Sequence, residues 1–199
     1  MGYHQAGFEV VGVDIAPQKR YPFEFIQANV MGLDIEFLRS FDAIHASPPC
    51  QAYSKAQRLQ KNDHPDLVIP VRRKLAETGL PWVIENVPGA PLFPTITLCG
   101  AMFPGLRVYR HRIFASSFTI YPPQHPPHDA PQVKMGRRIS QGDFIQVVGN
   151  FSGAEYAREA MGCPWMTRDE LREAIPPAYT KFIGEQLLAS LEEQKLEAA

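Results

Sequence analysis

The chain has 199 residues, 45% of them apolar and 21% charged, with a formal net charge of −1. That is enough for one domain with a substantial core, with room for a small appended lobe, and the absence of any apolar run approaching about 18 residues excludes a membrane-spanning helix. The start, Met1-Gly2-Tyr3-His4-Gln5, has no basic stretch ahead of an apolar one, so no secretory signal is expected and the cytoplasm is the default compartment.

Three cysteines, Cys50, Cys99 and Cys163, are widely spaced with no Cys-x-x-Cys pair, which suggests neither a disulfide framework nor a zinc site. No metal is expected. Charge is uneven along the chain. Between Gly105 and Gly142 six basic residues face one acid, Asp129, whereas from Asp143 onward ten acids outnumber five bases. A local basic patch of this kind can contact phosphates even on a neutral molecule.

In chain order, residues 1–7 read as the last turns of a helix stopped at Gly7. Phe8 to Asp14 follows as a buried strand ending in an acid. At the end of the second strand of a Rossmann-like unit such an acid bonds ribose hydroxyls; a turn-initiating Asp ahead of Pro17 is an equal alternative. A strand at Phe23 to Ala28, Asn29, and a short helix from Asp34 to Ser40 come next. Strand Asp42 to Ala46 then delivers Ser47-Pro48-Pro49-Cys50-Gln51, placing a thiol at the carboxyl end of a strand, the side on which open α/β sheets bind ligands. The two prolines stiffen that loop. An ordinary buried cysteine and a nucleophile are about equally good readings of Cys50 taken alone.

A helix is expected from Pro65 to Thr78, kinked at Pro70 and stopped at Gly79. The strand Pro81 to Pro88 sets Glu85 and Asn86 at its carboxyl end; a solvated Glu is the ordinary reading, weakened because adjacent strands would bring Glu85 to the same edge as Cys50. Arg107 to Phe114 alternates like a strand with its arginines on one face. A solvated charged face is the common reason for such a pattern, and phosphate or base recognition the functional one. Five prolines between Tyr121 and Pro131 exclude regular structure. A strand at Phe144 to Val148, a helix from Ala154 to Met161 stopped by Gly162, a capping box at Thr167 and Glu170, and a last helix from Ala178 to Leu196 complete the chain.

The ordered set Pro49-Cys50-Gln51, Glu85-Asn86-Val87 and Arg110-x-Arg112 resembles the cytosine-5 DNA methyltransferase family in kind, order and spacing. Ala6 to Asp14 is similar to the segment leaving that family's first cofactor loop, and Ile175 to Tyr179 with Ile183-Gly184 to a compact phage-type closing motif. The resemblance covers nearly all of the chain except about residues 115–145. It implies an α/β, Rossmann-like S-adenosylmethionine-dependent methyltransferase sheet with a very small target-recognition insert, divided as a core over 1–114, a recognition or linker region over 115–145, and C-terminal helices over 146–199 that return to the core.

The resemblance also implies roles. Cys50 would add as thiolate to carbon 6 of a flipped-out cytosine, Glu85, as an acid of raised pKa, would serve ring nitrogen 3, and Arg112 would hold the base oxygen or Glu85. Arg110 would take a phosphate. Gln51, Ser54, Lys55, Gln57, Arg58, Asn86, Arg137 and Arg138 are the further candidates for contact with double-stranded DNA. S-adenosylmethionine would be held by Asp14, Ile15, Asn29 and Pro48, in the cytoplasm of a bacterium or phage-infected cell, where a restriction-modification role is one setting.

Two departures accompany the resemblance. The family's first strand and Phe-x-Gly-x-Gly loop are absent before Met1, so a shortened start, or a partner supplying the strand, is expected; and the usual adenine-contacting acid is Asn29. An inactive DNA-binding remnant is therefore the competing expectation, with an enzyme acting on RNA or using another carbon donor as a third.

Overall fold

A computed structural model describes residues 1–53, 65–133 and 136–197. The chain folds into two compact units, each built from non-contiguous segments. A sheet unit contains residues 11–97 and 112–121; a helical unit contains residues 1–10, 98–111 and 122–199. The helical unit takes both ends of the chain and one segment between them, so the units do not follow the expected division at 114 and 145.

In the sheet unit, β1 (Val11–Asp14) and β2 (Glu24–Gln27) pair in parallel, with Val11 opposite Glu24 and Asp14 opposite Gln27. Gly12 is required there, since a Cβ would lie 2.5 Å from the Tyr21 ring. α2 (Ile35–Arg39) starts where Asp34 accepts the Glu36 amide, as its cap position dictates. β3 (Ile44–Ala46) and β4 (Trp82–Asn86) are parallel neighbours, with Ile44 opposite Trp82 and Ala46 opposite Ile84. All five residues of β4 are buried, which is why the segment reads as a continuous apolar run interrupted only by Glu85 and Asn86.

The connecting helix α3 (Val68–Thr78) begins three residues after the expected proline start. Pro70 consequently falls in its first turn, where no amide donor is needed, and the expected interior kink does not arise. Gly79 ends the helix in the left-handed conformation, φ 74°. Val71 and Leu75 on α3 bury against Ile84, Leu92 and Ala115 in the core of this unit. Polar side chains lash the layers together: Arg39 donates to the carbonyls of Glu77 and Thr78, and Lys74 to those of Met31 and Leu33.

β6 (Arg112–Ser116) runs antiparallel on the other side of β4, pairing Val83 with Ser116 and Asn86 with Ile113. β5 (Ile96–Leu98), a strand the sequence reading did not anticipate, flanks it, giving the order β3-β4-β6-β5. Among the described residues β1-β2 is a separate two-stranded sheet rather than part of one continuous sheet.

In the helical unit, α1 (Gly2–Gln5) packs along α6 (Pro177–Glu197). Contact this close needs glycine: a Cβ on Gly2 would sit 2.1 Å from the Pro177 carbonyl oxygen, and one on Gly184 would sit 2.9 Å from Ala6 Cβ. β7 (Gln132–Val133) and β8 (Phe144–Ile145) form a short parallel pair, shorter than the strand expected to reach Val148. α4 (Ala154–Met161) ends at Gly162, and α5 (Arg168–Glu173) carries the Thr167–Glu170 capping box in full. Met161, Leu171, Phe151 and Val147 pack together in this unit's core.

Candidate active site

Two parallel strands in register expose their carboxyl ends at one edge. With Ala46 opposite Ile84, the residues that follow β3 and those that end β4 emerge side by side. Asn86, 1% exposed, joins them: its amide nitrogen donates to the Pro48 carbonyl at 3.0 Å, and its oxygen accepts from the Val87 amide at 2.9 Å. Pro48 is itself buried, so the loop presenting Cys50 is anchored two residues before the thiol. Asn86 and Pro48 thus support the loop, and the amide that the resemblance assigns to DNA is buried and bonded within the protein. The Pro48 carbonyl accepts this bond within the loop that the resemblance also assigns to the cofactor.

Glu85 is 7% exposed and forms an ion pair with Arg112, Nε to Oε1 2.9 Å. The antiparallel register explains the meeting, because Glu85 opposes Phe114 and the start of β6 therefore lies at the carboxyl end of β4. Both side chains are largely enclosed, which makes the pair costly to break. Cys50 is half-buried, and Gln51 is exposed at the start of a short 3-10 turn. The other two cysteines are poor nucleophiles: burial pushes the Cys99 thiol up and the Cys163 thiol up to about 11. Next to the loop, His45 on β3 contacts Ser47 Oγ at 3.2 Å, and burial depresses its pKa to about 4.

The second edge is formed by β1 and β2. Asp14 accepts from the Ala16 amide at 2.8 Å and from the Gln18 side chain at 3.2 Å, so the turn-forming reading of this acid is realised. Asn29 caps the following turn through Met31 N, 3.0 Å. Between them Ile15 leaves 70% of its surface in water, an unusually open position for a large apolar side chain at the mouth of a sheet.

The basic residues separate into different environments. Arg110 has φ 32° and directs its guanidinium at the carbonyls of Ala174, Val147 and Arg172, at 2.6, 2.9 and 2.5 Å. The positive φ ends the expected strand over 107–114, so Arg110 and Arg112 do not share a strand face; only Arg112 onward is strand. Three backbone carbonyls thus accept from the guanidinium that the resemblance assigns to a phosphate. Arg137 and Arg138 are exposed. Ser54, Lys55, Gln57, Arg58 and Lys134 lie outside the described residues.

One grouping escaped the sequence reading. Cys99, His111, His125 and His128, all in the helical unit, bring their ligand atoms within 4.8 Å of one another. The signal available was the His-x-x-His spacing at 125 and 128 between prolines; the lone cysteine 29 positions earlier gave no conventional pattern.

No family model and no curated protein sequence matches this chain. Among solved structures, a candidate DNA modification methyltransferase encoded within an E. coli prophage superposes with TM-score 0.66, covering 96% of this chain and 95% of that one at 14% identity. The chain has the fold of this prophage protein. A triple mutant of Spodoptera frugiperda DNMT2 is a more distant match, with TM-score 0.43 and 15% identity over 76% of this chain and 52% of that one. In this fold Cys50 lies on the loop that follows β3, and Glu85 near the end of β4 pairs with Arg112 at the start of β6. No helix of the described residues is long and apolar enough to cross a membrane.

Proposed function

We propose that this chain is a DNA methyltransferase that transfers a methyl group from S-adenosylmethionine to carbon 5 of cytosine. The observation that carries the reading is the enclosed Glu85–Arg112 pair at the strand edge from which the anchored Pro48-Pro49-Cys50 loop emerges. Cytosine is not nucleophilic at carbon 5. A thiolate added at carbon 6 pushes electron density across the ring, and Cys50 is the half-buried thiol on a stiffened loop that suits this step. Glu85 would hydrogen-bond ring nitrogen 3 and stabilise the adduct, and Arg112 would hold Glu85 in register while facing the base oxygen. Loss of the carbon-5 proton to a water molecule and expulsion of the Cys50 thiolate would then restore the ring.

The bound cofactor supplies an electrophilic methyl group. The edge formed by β1 and β2 fits its nucleoside: Ile15 offers an exposed apolar face for adenine, flanked by the polar groups of Asp14 and Asn29. The target base must leave the duplex to reach a strand edge of this kind. Gln51 and the exposed pair Arg137 and Arg138 are the groups assigned to DNA.

A further strand, from a longer chain or a partner, belongs to the same reading. It is supported by the division of the sheet unit into β1-β2 and β3-β4-β6-β5, because two-stranded parallel sheets are rarely stable alone. That same division favours the second reading, an inactive DNA-binding remnant. Duplex DNA containing 5-fluorocytosine separates the two when mixed with the protein and S-adenosylmethionine. A denaturation-resistant adduct that Cys50→Ser abolishes is the expected result; DNA binding without an adduct would make the chain a remnant.

A further inference from the structure

We propose that Cys99, His111, His125 and His128 form a tetrahedral site for a zinc-class divalent ion that clamps the proline-rich segment 122–131 within the helical unit. Their four ligand atoms lie within 4.8 Å of one another. Cys99 Sγ is 3.3 Å from His128 Nε2, and His111 Nε2 is 3.1 Å from His125 Nε2. A tetrahedral ion at the usual metal–nitrogen and metal–sulfur bond lengths needs ligand-to-ligand edges of about 3.3–3.6 Å, close to what these pairs show.

The three imidazole rings lie against one another. His111 and His125 stack at 5.3 Å, and His128 sits 5.0 Å from each of them, tilted at 47° and 38°. Two separate hydrogen-bonded pairs, Cys99 with His128 and His111 with His125, would explain two short distances. They would not explain why the two pairs converge with their nitrogen and sulfur atoms turned inward. One thiolate and three imidazoles are a soft-to-borderline donor set that suits zinc and excludes magnesium and calcium, which take oxygen ligands. Four protein ligands complete a tetrahedron, so the site is closed and structural, and the ion displaces the Cys99 thiol proton on binding.

The segment has a reason to need such a clamp. Five of the eleven residues from Tyr121 to Pro131 are prolines, and residues 121–129 adopt no regular structure. Prolines donate no backbone hydrogen bond, so a strand ladder cannot hold them. Side chains do so instead. Tyr109 stacks on His128 at 3.6 Å and 13° and donates its hydroxyl to the Ala130 carbonyl at 2.5 Å, which fixes the orientation of one ligand from outside the site.

The test uses the full chain without affinity histidines, probed with zinc and with cobalt as its spectroscopic substitute. One equivalent of zinc per chain is expected to survive dialysis. Cobalt should give intense tetrahedral d–d bands with a sulfur-to-cobalt charge-transfer band, and Cys99→Ser should remove the latter. Cys99 is buried and its replacement endangers folding, so His125→Ala, at an exposed ligand, is the second variant. It should weaken zinc binding by at least about 100-fold while leaving far-UV circular dichroism unchanged. A folded protein that binds neither ion, or that keeps its zinc in both variants, would overturn the proposal. Because the site shares no residue with the Cys50 chemistry, Cys50→Ser should retain zinc in full, whatever its effect on methyl transfer.

Discussion

In the sheet unit a loop is held by backbone geometry and one buried amide; in the helical unit a longer irregular stretch is gripped by side chains. The Cys50 loop leaves a parallel strand whose register already sets its direction, and Asn86 needs a single bond to Pro48 to finish the job. The stretch from Pro122 to Pro131 has no ladder to follow, and rings, a tyrosine hydroxyl and the Cys99 cluster take over. Strand ends position chemistry with few residues. Proline-rich chain must import its order from elsewhere, and a metal ion is the most compact way to do so.

The comparison breaks most sharply at Cys50. Cys50→Ser should lower methyl transfer by at least about 10³-fold while shifting stability by no more than about 0.5 kcal/mol, read by labelled-methyl incorporation and urea unfolding. Glu85→Gln should cost about 10²- to 10⁴-fold in the same assay and should also destabilise, because Arg112 loses its charged partner.

Asn86→Ala tests whether the loop is really anchored. It leaves the buried Pro48 carbonyl without its donor and should cost about 2–3 kcal/mol in urea unfolding, with lost activity following from a displaced Cys50.

His45 sharpens the comparison through pH. Its folded pKa of about 4 lies below the ordinary value for histidine, so between pH 6.5 and 4 the unfolded chain takes up a proton that the folded chain refuses. Stability should therefore fall by about 2 kcal/mol as pH drops through that window, and His45→Gln should flatten this part of the profile.

The smallest effect is expected in the helical unit. Tyr179 is fully buried and donates to the carbonyls of Tyr109 and Arg110, at 3.2 and 3.0 Å. Tyr179→Phe should cost about 1 kcal/mol, measured by thermal unfolding, because aromatic packing survives and only the hydroxyl is lost.

Local chemistry made much of the chain legible in advance. Asp34, Thr167 and Glu170 announce their helix starts through side-chain oxygens that cap amides, and Gly79 and Gly162 announce stops through the left-handed conformation that only glycine adopts cheaply. The continuous apolar run ending at Glu85-Asn86 could only be a buried strand. Misreadings arose where a backbone angle or a distant partner decided the outcome. Arg110 sits at φ 32° and faces three carbonyls from residues 147, 172 and 174, none of which its own alternating pattern reveals.

By itself the sequence determined most of the helices, the central buried strands and the polar residues that end them, because capping, glycine conformation and apolar periodicity act over a few residues; β5 and the break at Arg110 were not among them. Tertiary structure alone decided which of those polar residues meet. Glu85 finds Arg112 through antiparallel pairing across 27 positions, and Cys99 finds His128 across 29, because register and ring packing, not spacing along the chain, bring them together.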